Sequence, residues 1–393
     1  MSLLICSITL PLSKKMHAQP SIPTARDKTL FTPGPLTTSL TVKQAMLRDA
    51  GSWHFEFNAI VKGVREKILA LADLSQERGY EAILMQGTGT FGVESVLSSV
   101  VPPNGKLLVL SNGAYGERMV QMALHMKMDH TVLRCVEDCL PNQVALDHTL
   151  SADKAITHVA VVHCETTTGI LNPITELGRI VSKYGRSYIV DAMSSFGAIP
   201  IDFASAGIDY LVSSANKCLE GVPGFSFVIA RRERLFATEG CARSLSLDLL
   251  GQLKGFEKNG QFRYTPPTHS ILAFEQALRE FDQEGGIPAR GARYRKNHDL
   301  LVSGMRKLGF RPYLDPTIQS YIITSFYYPA DPRFRFSDFY QRLSDKGMII
   351  YPGKISQADT FRIGSIGRIF ESDIRSLLAA IRESLQEMGI DGN

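Results

Sequence analysis

Tyr188-Ile189-Val190-Asp191 is an apolar stretch that ends in a carboxylate. An apolar run of this length is typical of a strand buried in a sheet, and a charge at its end is expected where something at the sheet's carboxyl edge needs it. An isolated aspartate in this position can also cap the turn that follows the strand. Both interpretations of Asp191 stay open on this stretch alone.

Similar short apolar runs alternate with helical patterns from about residue 80 onward. The runs predicted as strands are 82–85, 106–110, 158–162, 187–190 and 210–212, and the predicted helices between them are 90–101, 115–126 and 174–184. This alternation predicts an α/β fold with a mostly parallel central sheet and helices on both of its faces. Functional residues in such folds lie where the strands end.

The chain has 393 residues, more than one compact domain usually holds. Residues 1–28 are expected to form a disordered extension, because strong patterning begins only at Leu30. A large domain is predicted over 29–270. After it, long amphipathic helices at 271–284 and 292–308 and a closing helix at 371–388 predict a small α/β C-terminal domain over 271–393, joined by part of the N-terminal segment.

Composition argues against several classes of partner. Hydrophobic residues make up 44% and charged residues 21%, and the basic residues behind the net charge of +4 are scattered along the chain. Neither a nucleic-acid nor a membrane partner is therefore expected. The six cysteines are irregularly spaced, so we expect no metal site, no disulfide framework and a reducing, cytoplasmic location.

A glycine-rich turn, Gly87-Thr88-Gly89-Thr90-Phe91-Gly92, follows a predicted strand and opens a helix. Its spacing matches a dinucleotide fingerprint, but the next strand leads into Ser111-Asn112-Gly113 and lacks the acid that binds a ribose. Threonine hydroxyls beside free backbone N–H groups suit a single phosphate monoester instead. A tight turn without a ligand is the third interpretation.

The last predicted strand runs through small polar residues into a lysine, Leu211-Val212-Ser213-Ser214-Ala215-Asn216-Lys217. A lone lysine is normally a solvated surface residue. Here the apolar turn Gly221-Val222-Pro223-Gly224-Phe225 follows, which predicts that the lysine is held on the interior side of the sheet.

Together these residues resemble the class V aminotransferases, which are pyridoxal-phosphate-dependent enzymes of fold type I. The resemblance extends from about residue 30 to about residue 381. It is carried by ordered strings: LFTPGPL (30–36), SNGAYG (111–116), HCETTTG (163–169), IVDAMSSFG (189–197), SSANKCLEGVPG (213–224), YTPPTH (264–269), YPGK (351–354) and FRIGSIG (361–367).

The resemblance implies a role for each matching residue. Lys217 would hold the cofactor as a Schiff base, and Asp191 would keep its ring nitrogen protonated; these two are the predicted catalytic residues. The other implied cofactor contacts are Thr88, Gly89, Thr90, Ser195 and Asn216 at the phosphate, Tyr115 and Met193 on the two ring faces, and Thr166 at the ring's 3-oxygen.

The resemblance also implies how subunits and substrates are bound. Thr265 matches a phosphate contact that the family supplies from a neighbouring subunit, so the working unit is expected to be a homodimer with active sites at the interface. Arg362 matches the arginine that pairs with the substrate's carboxylate or phosphonate, and Pro35 and Trp53 are the other implied substrate contacts. An arginine suits this task because its planar fork can donate two hydrogen bonds and keeps its charge.

Lys217 has a physical basis for its implied role. Burial disfavours the ammonium form, which helps the amine enter and leave a Schiff base. The freed amine can then carry a proton between substrate and cofactor, a contribution typically worth about 10²–10⁴-fold.

Within the family, the strings are most similar to those of enzymes that pass the amino group of 2-aminoethylphosphonate to pyruvate. One departure concerns the donor: His54 and Phe55 follow Trp53 where acidic residues are expected, and only Glu56 remains. The open alternatives are an alanine–glyoxylate or serine–pyruvate aminotransferase, a related lyase and, from another class, an NAD-binding oxidoreductase. A thiol mechanism at Cys164 or Cys218 is disfavoured, because neither cysteine has an adjacent base.

Overall fold

The computed structural model describes residues 27–390. We predicted disorder for residues 1–28. Residues 1–26 of this segment lie outside the described residues. Lys28 is described and donates a hydrogen bond to Ser344 Oγ over 2.7 Å.

The strands and helices alternate through the first two thirds of the chain, as the patterning predicts. The strands are β1 Thr29–Leu30, β2 Tyr80–Gln86, β3 Lys106–Ser111, β4 Asp129–Arg134, β5 Ile156–Val162, β6 Cys164–Glu165, β7 Ile170–Leu171, β8 Ser187–Asp191, β9 Tyr210–Ser214, β10 Phe225–Arg231, β11 Ile323–Tyr327, β12 Met348–Ile349, β13 Tyr351–Pro352 and β14 Thr360–Gly364.

The helices are α1 Leu40–Gln44, α2 Phe55–Leu71, α3 Gly89–Val100, α4 Ala114–His125, α5 Gln143–Ala152, α6 Ile174–Lys183, α7 Phe203–Ala206, α8 Arg232–Phe236, α9 Leu249–Asn259, α10 Thr268–Glu284, α11 Gly286–Lys307, α12 Phe336–Asp345 and α13 Glu371–Glu387.

A seven-stranded sheet with the order β2-β10-β9-β8-β5-β3-β4 forms the centre of the molecule. Every strand runs in one direction except β10, which pairs antiparallel with both β2 and β9. The α/β class with a mostly parallel sheet is therefore confirmed. Because the other strands are parallel, the ends of β2, β8 and β9 meet at one edge, where the predicted site residues follow them.

Strand β8 is apolar up to its last residue because it lies in the middle of the sheet, where helices cover both faces. All five of its residues are buried. Strand β4 was not predicted. Only its middle residues are half-buried, since it lies at the sheet's edge and lacks a continuous apolar run.

The two largest of four hydrophobic clusters in the described residues mark two parts of the chain. The larger core surrounds the seven-stranded sheet, and the smaller core joins Phe31 to residues between Leu301 and Ile390, around the three-stranded sheet β11-β14-β13. The apolar side chains of α10, including Phe274 and Phe281, lie in the larger core. The predicted boundary at residue 270 therefore falls at the start of a helix that packs in the large core, and the division itself stays a prediction.

None of the helices between residues 27 and 390 is long and apolar enough to cross a membrane. In the same part of the chain, no group of three or more histidine, cysteine, aspartate or glutamate side chains is arranged to bind a metal.

Candidate active site

A cavity of about 300 Å³ opens at the carboxyl edge of the sheet, beyond the ends of β2, β8 and β9. Most of the residues predicted for the cofactor meet there. The lining comprises Gly34, Pro35, Thr88, Gly89, Thr90, Val93, Tyr115, Arg118, Met119, Met122, Asp191, Met193, Ser214, Asn216, Lys217 and Pro223.

Lys217 reaches into this cavity from the turn after β9. Its Nζ donates a hydrogen bond to the Pro33 carbonyl oxygen over 2.7 Å. The lysine passes so close to Gly34 that a Cβ there would lie 2.6 Å from Nζ, so only glycine leaves room for it. Burial lowers the pKa of Lys217, although the nearby Tyr115 and Asp191 oppose this shift. The solvated-lysine interpretation is therefore wrong for Lys217.

Asp191 is the last residue of β8 and also lines the cavity. Its Oδ1 accepts a hydrogen bond from the Met193 backbone N–H over 2.9 Å, so it does stabilise the turn that follows. Burial raises the pKa of Asp191 to about 6, and Glu165 adds to the rise while Lys217 opposes it. A buried carboxylate of this kind would be stabilised by a cation, such as a protonated ring nitrogen, placed beside it.

The glycine-rich turn forms one wall of the cavity at the N-terminus of α3. Thr88 is the N-cap residue of this helix, but its side chain makes no capping hydrogen bond and so stays available to a ligand. At Gly89 a Cβ would lie 2.3 Å from Met193 Sδ, so a side chain there would displace the methionine. The helix is 12 residues long, and its first N–H groups favour an anion.

Ser214 supplies an independent sign that the cavity receives a ligand. This last residue of β9 is 1% exposed, and its Oγ has no hydrogen-bond partner among residues 27–390. A buried hydroxyl without a partner costs free energy unless something else completes its hydrogen bonds. A phosphate held by the turn at Thr88 could do so.

Tyr115 connects the cavity to Arg362. A hydrogen bond joins the tyrosine to the Thr166 side chain, and the positive charges of Lys217, Lys354 and Arg362 lie near it. Burial raises the pKa of Tyr115, but the hydrogen bond and these charges outweigh burial, so the net effect is a lowered pKa.

Arg362 lies in β14, and its guanidinium donates hydrogen bonds to two backbone carbonyls. Nε donates to Pro352 O over 2.9 Å and Nη1 donates to Thr166 O over 2.8 Å. The residue is 2% exposed, and no salt bridge to it occurs in the described part of the chain. Burial lowers the pKa of Arg362, while Tyr115 opposes this shift. A buried guanidinium without a carboxylate is suited to an incoming anion.

Five predicted residues are absent from the lining of the cavity: Trp53, Thr166, Ser195, Thr265 and Arg362. Thr166 is buried, and its backbone carbonyl accepts the hydrogen bond from Arg362. Ser195 is fully buried, and its Oγ lies 2.9 Å from His163 Nδ1. Thr265 is exposed, and only its backbone carbonyl is engaged, by Gln86 Nε2 at 3.3 Å. Trp53 is 77% exposed. The implied roles of these five residues stay predictions.

Arg118 lines the cavity and was not predicted from the sequence. Its Nη1 donates to Thr90 Oγ1 over 3.1 Å, and its Cζ lies 4.8 Å from the centre of the Tyr115 ring. It follows Tyr115 by three positions on α4, so both side chains project from the same face of the helix. That spacing could have identified Arg118 once Tyr115 was assigned.

Glu165 was also missed. It is fully buried and accepts hydrogen bonds from the backbone N–H groups of Tyr115 and Gly116 at 3.1 and 3.2 Å. These bonds fix the start of α4 and hence the position of the Tyr115 ring. Burial raises the pKa of Glu165, and these N–H donors partly offset the rise.

The turn that carries Lys217 is held by buried ion pairs with α11. Glu220 Oε1 accepts hydrogen bonds from Arg293 Nη2 at 2.7 Å and from Tyr294 OH at 2.6 Å. Arg290 Nη1 donates to the Cys218 carbonyl over 2.6 Å, and its Nε donates to Glu284 over 2.8 Å. Helix α11 thus holds the turn that carries Lys217 in place.

The two cysteines near the site are poor nucleophiles. Burial raises the pKa of Cys164 to about 11 and raises that of Cys218 further. A thiolate mechanism is therefore disfavoured, as the sequence indicates.

Lys217, Asp191 and the glycine-rich turn thus line one cavity, and the buried Arg362 lies near its Tyr115. The chain belongs to the class-V aminotransferase family, whose model matches residues 38–362. This family implies pyridoxal phosphate, and the residues fit it: Ser214 and Thr88 leave hydroxyls free for the phosphate, and Asp191 offers a buried carboxylate to the ring nitrogen.

Two relatives with the same name share more than half of their residues with this chain. The 2-aminoethylphosphonate–pyruvate transaminase of Salmonella schwarzengrund is 54% identical over 364 residues, which cover 92% of this chain and 99% of the relative. The transaminase of that name from Salmonella agona is 53% identical over 367 residues, with 93% and 100% covered.

Solved structures confirm the fold at lower identity. An alanine–glyoxylate aminotransferase from Nostoc sp. has a TM-score of 0.85 at 22% identity, and 96% of this chain and 100% of that chain are covered. A ureidoglycine–glyoxylate aminotransferase from Bacillus subtilis has a TM-score of 0.84 at 22% identity, with 94% and 95% covered.

Proposed function

We propose that this chain moves the amino group of 2-aminoethylphosphonate to pyruvate with the help of pyridoxal phosphate, giving phosphonoacetaldehyde and L-alanine. The strongest support is the 54% identity over 92% of the chain to a relative named for this reaction. The site agrees, because it combines a buried lysine with a buried arginine that has no carboxylate partner in the described residues.

Bound at Lys217 and Asp191, pyridoxal phosphate would supply an electron sink for the carbanion that forms when the amino-bearing carbon loses a proton. Lys217 Nζ would hold the cofactor and then move that proton. Its lowered pKa favours the neutral amine that proton abstraction requires. Asp191 would hold a proton at the ring nitrogen, since a buried carboxylate stabilises a cation beside it.

The cofactor's phosphate would be bound by Thr88, Gly89, Thr90, Ser214 and Asn216, all of which line the cavity. The ring would lie between Tyr115 and Met193. Ser195 would support this wall indirectly, because its Oγ lies beside His163 and not in the cavity.

Arg362 would bind the phosphonate of the donor in one half of the reaction and the carboxylate of pyruvate in the other. One arginine can serve both, because its fork matches two oxygens of either group. The two substrates then use the same place in turn, and ping-pong kinetics are expected.

A homodimer would complete the site. Thr265 is exposed in the single chain, as is expected of a residue whose hydroxyl reaches the phosphate of the partner subunit. Large apolar side chains are also exposed, among them Leu47 at 83%, Trp53 at 77% and Phe55 at 73%. An interface between subunits would remove such side chains from water. The cytoplasmic location stays a prediction.

The donor preference is the part of the proposal with a specific rival. His54 and Phe55, where acidic residues are expected, begin α2 on the exposed surface beside Trp53. If this segment reaches a substrate across the dimer interface, a carboxylate donor such as alanine or serine would be used instead. A lyase of the same family would need no keto acid at all.

A screen of amine donors tests the proposal. Purified holoenzyme is given ¹⁵N-labelled 2-aminoethylphosphonate, alanine or serine, with pyruvate or glyoxylate as acceptor, and the labelled amino acid formed is measured. The proposal predicts labelled alanine from 2-aminoethylphosphonate and pyruvate at the highest kcat/KM. Turnover of alanine or serine alone would refute it in favour of the carboxylate-directed alternative.

A further inference from the structure

Lys354 adds a positive charge beside the cavity, in addition to those of Arg118, Lys217 and Arg362. It lies just beyond β13, whose Tyr351 pairs with Arg362 of β14. Its Nζ is 4.9 Å from the centre of the Tyr115 ring, and its charge acts on the tyrosine together with that of Arg362. Tyr115 itself lines the cavity. Lys354 and Arg362 therefore act on the same side chain of the site, which Arg118 and Lys217 also approach.

Neither cation is neutralised by a carboxylate. No salt bridge within residues 27–390 involves Lys354, Arg362 or Lys217, whereas most other lysines and arginines of the described chain have at least one. Lys354 is exposed, so it costs little to leave unpaired. Its placement over Tyr115 nevertheless concentrates positive charge where the substrate's anionic end would enter.

The charge of the proposed donor exceeds what one arginine can match. A carboxylate is planar and carries one negative charge, which the guanidinium fork satisfies with two hydrogen bonds. A phosphonate has a third oxygen and, like a phosphate monoester with a second pKa of about 6, carries a second negative charge near neutrality. A flexible ammonium group is a suitable partner for that third oxygen, because it acts as a point charge with three donors.

We infer that Lys354 is a specificity-determining residue that binds the third oxygen and the second negative charge of a phosphonate substrate held by Arg362. This inference rests on the proposed function. It distinguishes two parts of the anion site: Arg362 serves any carboxylate or phosphonate, and Lys354 serves only the dianion.

Two competitive inhibitors of similar shape but different charge distinguish the effect of the ligand's charge on binding from the effect of its size. 2-Hydroxyethylphosphonate is doubly charged at about pH 8.5, and 2-hydroxyethanesulfonate has the same tetrahedral end with a single charge. The inhibition constant of each is measured on holoenzyme with and without Lys354→Gln. We expect the constant for the phosphonate to rise about three- to tenfold, as fits a partly solvated ion pair, and that for the sulfonate to change less than twofold.

Two further variants serve as controls. Lys354→Arg keeps the charge and should retain most of the preference for the phosphonate. Lys154→Gln removes another exposed lysine above a tyrosine ring, with Nζ 5.4 Å from the centre of Tyr184, and should change neither inhibition constant.

Equal weakening of both inhibitors by Lys354→Gln, or no change in either, would overturn the inference. Failure of the proposed function gives a different result, because it appears as absence of alanine formation in the unmodified enzyme. The ratio of the two inhibition constants is measured independently of that reaction.

Discussion

Burial shifts the pKa values of Lys217 and Asp191 in opposite directions. It lowers the pKa of the lysine and raises that of the aspartate to about 6, because each loses solvation of its charged form. The sequence predicted both residues from their positions at strand ends. It did not predict Arg118 or Ser214, because their places in the cavity depend on which face of a helix or strand turns toward it.

Asp191→Asn should change the pH dependence of stability in the cofactor-free protein. The folded-state pKa of about 6 lies above the unfolded value near 3.8, so the carboxyl's contribution to the free energy of unfolding is present below about pH 4 and is lost as pH rises through 6. As pH rises from 4 to 7, the free energy of unfolding of the variant should therefore increase by up to about 3 kcal/mol relative to that of the unmodified protein. Urea unfolding at both pH values measures this.

Asp153→Asn is the control with the opposite sign. A hydrogen bond from Lys106 lowers the pKa of the Asp153 carboxyl, so its stabilising contribution is present at neutral pH and is lost on acidification. This variant should therefore be less stable than the unmodified protein at pH 7. If Asp191→Asn changes the free energy of unfolding equally at pH 4 and pH 7, the raised pKa of Asp191 is contradicted.

Lys217→Ala should abolish transamination even though the protein folds. Loss of the amine removes both the attachment of the cofactor and the proton carrier, and the latter alone is worth about 10²–10⁴-fold in rate. The rate of alanine formation and the visible colour of the purified protein are measured together. Lys254→Ala, which removes an exposed lysine paired with Glu239, should alter neither. A coloured, active Lys217→Ala protein would refute the role of the lysine.

At the scale of elements, α11 holds the turn that carries Lys217. The buried pairs of Arg290 and Arg293 with Glu220 and Glu284 join the end of β9 to the small C-terminal core. The sequence predicted α11 from its periodicity but gave no sign of these pairs, because Glu220 lies 73 residues before Arg293 and Glu284 lies on the preceding helix. Strand β10 was not among the predicted strands, and its antiparallel direction follows from tertiary pairing and not from composition.

Arg290→Ala should lower the free energy of unfolding by about 3–5 kcal/mol. Arg290 is 0% exposed, and its removal leaves the buried Glu220 and the half-buried Glu284 with one fewer cation. Arg279→Ala removes an exposed arginine paired with Glu275 one helical turn away, and it should cost no more than about 0.5 kcal/mol. Denaturant titration of both variants gives the comparison. Equal costs would show that the buried pairs do not hold α11 to the turn.

At the scale of the whole molecule, the sequence predicted the class of fold and a chain of two parts. The patterning of the first two thirds was sufficient for the sheet, because central strands of parallel sheets are continuously apolar. The place of α10 was not foreseen: it begins at the predicted boundary and packs into the large core. The subunit contacts depend on exposed residues such as Thr265, whose surroundings one chain does not contain.

Mixed dimers test whether Thr265 acts across the interface. Thr265→Glu would place a negative charge against the cofactor's phosphate, and Lys217→Ala removes the attachment, so each variant alone should be nearly inactive. A dimer with one subunit of each kind contains one intact site, since its Lys217 and the partner's Thr265 are both unmodified. Random mixing after denaturation and refolding should restore about a quarter of the activity. No recovery in verified mixed dimers would contradict a site shared between subunits.

If the amino group moves to the acceptor by way of the cofactor, the enzyme must complete half of the reaction without pyruvate. Holoenzyme is mixed with excess 2-aminoethylphosphonate in the absence of any keto acid, and phosphonoacetaldehyde is counted per active site. We expect one equivalent of aldehyde per site, then a stop, and resumed release once pyruvate is added. Continuous release without pyruvate, or no aldehyde at all, would contradict it.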